Sequence, residues 1–167
     1  DDKRRKLKII LTQVQCNYLL KNFEESIRLI LQAELNIGKE NLGLAHLKVC
    51  SLFNLKNYEE GMQLAIQSLQ RLKVEVSSDP ATMKAIATKY FSQLPLSVTE
   101  IRALKTLKAA TNKQFILISS LIMDMINPTY ILDLADLRIA ILSQLVQLMH
   151  RHGQNSSCAI PLLHLAN

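Results

Sequence analysis

The sequence predicts an all-α fold, an antiparallel helical-hairpin repeat solenoid of about eight or nine helices. Three observations carry this expectation. A 13-residue segment recurs at an offset of 35 residues: KNFEESIRLILQA at 21–33 and KNYEEGMQLAIQS at 56–68. Four glycines, four prolines and 5% aromatics leave little material for the tight turns of a β protein, while Leu, Ile, Ala, Lys and Gln favour helix. Apolar residues return every three or four positions, and none alternate at period two for long enough to make a strand.

Each copy of the repeat has a physical logic. Asn22 and Asn57 are suited to cap a helix, and Glu25 and Glu60, three residues on, are placed to reach back as in a capping box. Those glutamates also sit at the positive end of the helix dipole. Phe23 and Tyr58 anchor the helix start. Small residues at Ser26/Gly61 and Ala33/Ser68, seven apart, share one face, where a neighbouring helix can approach closely. First helices are expected over about 6–20 and 39–55, with second helices over about 23–36 and 58–74.

The second half, 77–167, has no third copy and reads as additional helices packed on the repeats of 1–76. Asp79-Pro80 starts a helix to about Gln93, with Pro at its first position. Ser97 to Glu100 forms a capping box for the next, to about Ala110. A third spans about 112–126, ended by Asn127-Pro128. A long amphipathic helix covers about 133–152, with Leu134, Leu137, Ile141, Leu145 and Leu148 on one face, and Gly153 closes it. Ser156 or Ser157 can cap a last helix. The chain stops within a helix-like pattern, so it is expected to be part of something larger.

The opening "Asn-aromatic-Glu-Glu-small" at this period resembles the tetratricopeptide repeat (TPR). The usual Gly or Ala of the first helix is Val14 and Val49 here, and the usual Tyr is Asn17 and Leu52. The order of segments after the repeats resembles a second thing. RLKVEV (71–76), QLPLSVTE (93–100) and NPTYILDLADLRIAILSQLVQLMHRHGQNSSCAI (127–160) succeed one another as in the helical region that follows the AAA-type ATPase module of large multidomain sensor histidine kinases. Those bacterial and fungal proteins join a serine/threonine-kinase-like domain, an ATPase, this region, a GAF domain and a histidine kinase. Fungal members add a receiver and act in stress-response phosphorelays. The resemblance implies a non-catalytic, cytoplasmic interaction or coupling module, with neighbouring ATPase, GAF or kinase domains or a soluble signalling protein as partners.

Other chemistries find little support in the residues. The net charge is +6, but Asp1 to Lys8 holds five basic and two acidic residues and so half of it. That run reads as a solvated first turn rather than a nucleic-acid stripe. An alternative remains a helical-repeat adaptor or scaffold unrelated to kinases, touching nucleic acid through this basic end. Steep salt dependence would mark it. The longest apolar run, 115–126, is broken by Ser119, Ser120 and Asp124 and is too short for a bilayer. Cys16, Cys50 and Cys158 form no CxxC and suit a reducing compartment. His150 and His152, with Cys158 and His164, are the one metal-like cluster. Alternate helix residues point apart, so they read as C-terminal dipole partners, and no metal or cofactor is expected. Phosphate-loop, kinase and phosphorelay motifs are absent, and no catalytic residue is expected.

What remains is a surface. In tetratricopeptide proteins the first helix of each repeat lines a groove. The resemblance carries that groove onto Leu11, Gln15, Tyr18 and Leu19 in the first repeat, and onto His46, Cys50, Phe53 and Asn54 in the second. Leu11 and Gln15 stand where a carboxylate-clamping Lys or Asn would be needed, so a C-terminal carboxylate is not the expected ligand. Tyr18 and Phe53 have a second reading, as packing against the next helix.

Overall fold

A computed structural model of the chain describes residues 2–37, 41–94, 104 and 106–154. Among the described residues there are seven helices: α1 (Asp2–Leu19), α2 (Phe23–Ile37), α3 (Leu42–Asn54), α4 (Tyr58–Arg71), α5 (Pro80–Phe91), α6 (Lys113–Ile131) and α7 (Ala135–His152). The expected capping box at Ser97–Glu100 and the helix after Ser156 lie outside the described residues. The all-helical class holds. Two compact units divide the chain, Asp1–Ser68 and Leu69–Asn167, so the last turn of α4 belongs to the second.

In the first unit α1 and α2 pack as a hairpin, and α3 packs on both. Their turn explains why Lys21 recurs as Lys56. Lys21 is left-handed, φ 63°, and the Asn22 N–H donates to the Asn17 carbonyl (2.9 Å) while the Lys21 N–H donates to Tyr18 (3.0 Å). This is a Schellman closure. Lys56, φ 63°, repeats it, with Asn57 bonded to Leu52 and Lys56 to Phe53. The expected return bond of each capping box does not form, because the Asn22 and Asn57 N–H groups are already used by these closures. Glu25 turns instead to Arg28, at 2.6 Å through both oxygens, and Glu60 accepts from the Asn57 side chain at 2.6 Å.

Val14, Ile30, Ala33 and Leu44 form the unit's buried core, with Leu7, Ile10, Leu11, Leu29 and Leu47 packed around it. Burying each large aliphatic side chain contributes roughly 1.5–3 kcal/mol. The small residues do what their spacing predicted. Ser26 is fully buried and its hydroxyl donates to the carbonyls of Asn22 (3.1 Å) and, across the hairpin, Val14 (3.4 Å). A Cβ on Gly61 would come within 2.6 Å of the Phe53 ring, so only glycine lets α3 and α4 approach this closely. Asn41 caps α3 by accepting from the Leu44 N–H at 3.0 Å.

The second unit is built around α7, against which α5 and α6 both pack. Residues 140–146 of α7 are buried without interruption, as expected of a helix enclosed on nearly all sides. Before it, α4 ends three residues earlier than expected because Lys73 becomes left-handed, φ 62°. An extended strap, Val74–Val76, follows, with both valines buried and Glu75 exposed. Asp79 caps α5, accepting from the Thr82 N–H at 2.8 Å, with Pro80 at the first position.

Three expectations need correction here. The helix expected to end at Ile126 runs through Pro128 to Ile131. Proline lacks only one donor, its φ suits a helix, and the helix ends within a turn of it. The buried Thr129 hydroxyl donates to the Ile126 carbonyl at 2.6 Å and helps satisfy that turn. The next helix begins at Ala135 rather than Asp133, which is left-handed at φ 53°. Residues 107–110 are not helical. Ala109 bridges Gln154, with Ala110 N–H donating to the Gln154 carbonyl (2.8 Å) and Gln154 N–H to Lys108 (2.9 Å).

Candidate protein-docking face

The eight residues expected to line a groove all lie on α1 and α3, within the first unit, and differ in exposure. Leu11 packs against the core cluster. Cys50 is 8% exposed and Phe53 is half-buried against Gly61 and Tyr58, its ring centroid 6.4 Å from the tyrosine's. These three spend most of their surface on packing. Gln15, Leu19 and Asn54 are exposed, Leu19 at 78%. Tyr18 and His46 are intermediate.

One contact joins the two sets. The Asn54 side-chain amide donates to the Tyr18 hydroxyl at 3.3 Å and to the Cys50 carbonyl at 2.8 Å. Tyr18 in turn meets Phe23 edge to face, centroids 5.5 Å apart. The end of α1 and the end of α3 are thus tied side by side, with the tyrosine fixed by a ring on one edge and an amide at its tip. Tyr18, Asn54, Gln15 and Leu19 make a mixed polar and apolar patch. Such a patch can receive backbone hydrogen bonds and one or two apolar side chains.

Titration shifts lie elsewhere and have local causes. The Arg28 hydrogen bond holds Glu25 below the usual carboxylate range, and bonds from the Thr82 side chain and N–H lower Asp79. Lys89 lowers Glu75, at 2.8 Å, and Glu75 raises Lys89 in return. Burial raises Tyr90 first, its bond to Glu75 second. All are caps or surface pairs. His152, expected as a partner of the helix C-terminus, stacks on Phe115 at 5.5 Å. Cys158 and His164 lie outside the described residues. Among the described residues, no helix is long and apolar enough to cross a membrane.

The exposed leucines of α2 were not among the residues expected on a binding face. Leu31 and Leu35, one turn apart, are 45% and 87% exposed. Their signal was an apolar stripe wider than the core face needs.

The described residues make an all-helical chain in two compact units. No family model and no solved structure matches the chain. It is 24% identical over 166 residues to Histidine protein kinase 1 of Candida albicans, a match covering 99% of this chain and 7% of that protein. The chain is therefore distantly related, almost end to end, to one short stretch of a fungal histidine kinase.

Proposed function

We propose that the chain is a non-catalytic coupling module of a stress-sensing two-component histidine kinase, acting in the cytoplasm by docking a neighbouring domain or a soluble signalling protein. The observation that carries this reading is the similarity to a histidine kinase along nearly the whole chain. The TPR-like reading of 1–76 is supported by two hairpins closed by the same Schellman wiring at the same repeat positions. The docking face on this reading is the Tyr18–Asn54 patch.

The test uses this chain and its parent kinase. Leu19→Arg and Gln15→Glu alter exposed side chains and leave the fold intact. In the full-length parent they are expected to uncouple stimulus from phosphotransfer while autophosphorylation with ATP persists. In a binding assay, the isolated chain should capture the adjoining ATPase or GAF domain and the variants should lose it. Unchanged coupling and unchanged capture in both variants remove this face from the function. Steeply salt-dependent binding of generic DNA or RNA by the chain supports the adaptor alternative instead.

A further inference from the structure

Helix α1 lies at one edge of the first unit, packed on α2 and, to a lesser extent, on α3. Leu7, Ile10, Leu11 and Val14 form its inner face. Arg5, Ile9, Thr12 and Cys16 turn the other way and are exposed, returning every three or four residues along one side of the helix. Leu20 extends this stripe, its N–H bonded to the Cys16 carbonyl at 3.0 Å. Ile9 is 53% exposed and Leu20 71%. The charge of the segment has one sign. Between Lys3 and Phe23 the sequence carries Lys3, Arg4, Arg5, Lys6, Lys8 and Lys21 and no acidic residue. Arg5 and Lys8 are exposed, and among the described residues neither forms an ion pair.

We infer that this outer stripe of α1 docks an acidic amphipathic helix of a partner protein, with carboxylates over Arg5 and Lys8 and apolar side chains against Ile9 and Leu20. The spacing sets the shape. Side chains that return at three and four residues form the ridges and grooves into which a second helix packs. A stack of helical hairpins normally ends on a polar outer face, and the exposure of Ile9 and Leu20 departs from that pattern. The charge sets the partner. A second copy meeting this face through its own α1 would set Arg5 and Lys8 against a segment without a carboxylate, and like charges brought together are costly. Polar Thr12 and Gln13 interrupt the apolar surface, which suits matched contacts with a helix better than burial in a lipid surface. The stripe shares no residue with the Tyr18–Asn54 patch. The inference goes beyond the coupling reading and stands or falls separately.

The probe is a blocked peptide of about 20 residues, stapled as a helix on its far face, with leucine at the heptad core positions and glutamate flanking them. It is titrated at fixed ionic strength into the isotope-labelled chain. Saturable amide shifts are expected, centred on the α1 stripe from Arg5 to Leu20. A matched peptide with lysine for glutamate binds about tenfold or more weakly. Ile9→Gln lowers affinity for the acidic peptide by about tenfold, the loss of a buried aliphatic contact. Arg5→Gln and Lys8→Gln each lower it by about two- to fivefold, as expected of charges at a rim. Far-UV spectra of these variants match the wild type, since all three side chains are exposed. Asn54→Ala, which alters the other face, leaves affinity unchanged. Several outcomes each overturn the inference: absence of saturation, equal binding of the lysine peptide, shifts centred outside α1, or undiminished affinity in Ile9→Gln. A loss in Asn54→Ala equal to that in Ile9→Gln overturns it too, as does tighter binding of duplex RNA or phosphatidylserine vesicles than of the peptide.

Discussion

The side-chain amide of Gln144 meets the peptide group of Glu75 at both ends. Its oxygen accepts from the Glu75 N–H at 3.0 Å, and its nitrogen donates to the Glu75 carbonyl at 2.8 Å. A buried helical residue thus supplies an extended strap with both bonds that a neighbouring strand would otherwise give it. A third bond, from the Gln70 amide to the Val76 carbonyl at 3.0 Å, completes the strap's hold.

Removing that amide should therefore cost more than an ordinary surface change. Gln144→Leu fills similar space but leaves the Glu75 N–H and carbonyl without partners. The expected loss is about 1–3 kcal/mol in urea denaturation. Gln144→Glu is expected to be worse than Gln144→Leu at neutral pH, because it buries a charge and lacks the donor. Equal stability of wild type and Gln144→Leu would show that the clasp adds nothing.

Gly61 gives a second prediction, in which two effects oppose. Gly61→Ala gains about 0.8–1 kcal/mol of helix propensity but drives a methyl into the Phe53 ring, where overpacking costs about 1–3 kcal/mol. Overpacking wins, by about 1 kcal/mol. The sign should reverse in a Phe53→Leu background, where the ring is gone, and a double-mutant cycle measures the coupling.

The left-handed lysines are improvable. A non-glycine residue there carries a steric cost of roughly 1–2 kcal/mol, and glycine returns part of that gain through its freer unfolded chain. Lys21→Gly and Lys56→Gly are each expected to stabilise by about 0.5–1 kcal/mol. Thermal unfolding of the single variants checks this. A fall in Tm would mean that the lysine side chains contribute more than the backbone strain removes.

The Glu75–Lys89 pair sets a pH dependence. Glu75 is depressed in the folded state, chiefly by its hydrogen bond from Lys89. Its contribution is therefore present above the unfolded carboxylate pKa and lost as pH falls through the lowered folded value. Lys89, raised chiefly by Glu75, loses its share only as pH rises through its raised folded value. Both side chains are about half exposed, so the effect is small and weakened by salt. Lys89→Met should move the Glu75 titration, followed by carboxyl NMR, back up toward about 4.3. An unmoved midpoint would assign the depression to another neighbour.

The parts of this fold that were legible are those with local causes. Asp79-Pro80 was expected to start a helix, and Asp79 caps it through the N–H three residues on. Asn41 caps α3 in the same way but was not read as a cap, since that helix was expected from about 39. The small faces at Ser26 and Gly61 announced the close helix approach. Glu25 and Glu60 misled because the capping box competes with a closure that had already used the Asn N–H. Asn127-Pro128 misled because proline stops a helix only where further turns depend on the missing donor. Gln144 was illegible in ILSQLVQL, since its partner lies 69 residues away. For the candidate face, membership on α1 and α3 was legible by position. Which members would be covered was not, because the covering of Cys50 and Phe53 depends on how α3 meets its neighbours.

The two kinds of closure have different histories in time. The turns at Lys21 and Lys56 join segments that are neighbours in sequence, and such contacts form without a large loop to close. The Gln144 clasp must first bring together residues 75 and 144, a search whose entropic cost grows with the logarithm of the loop. Local contacts also favour rapid folding. The hairpin of α1 and α2 is therefore expected to take shape early, even as the chain is being synthesised, and the strap to lock last. Pulse-labelled hydrogen exchange should find the α2 amides protected before the N–H of Glu75.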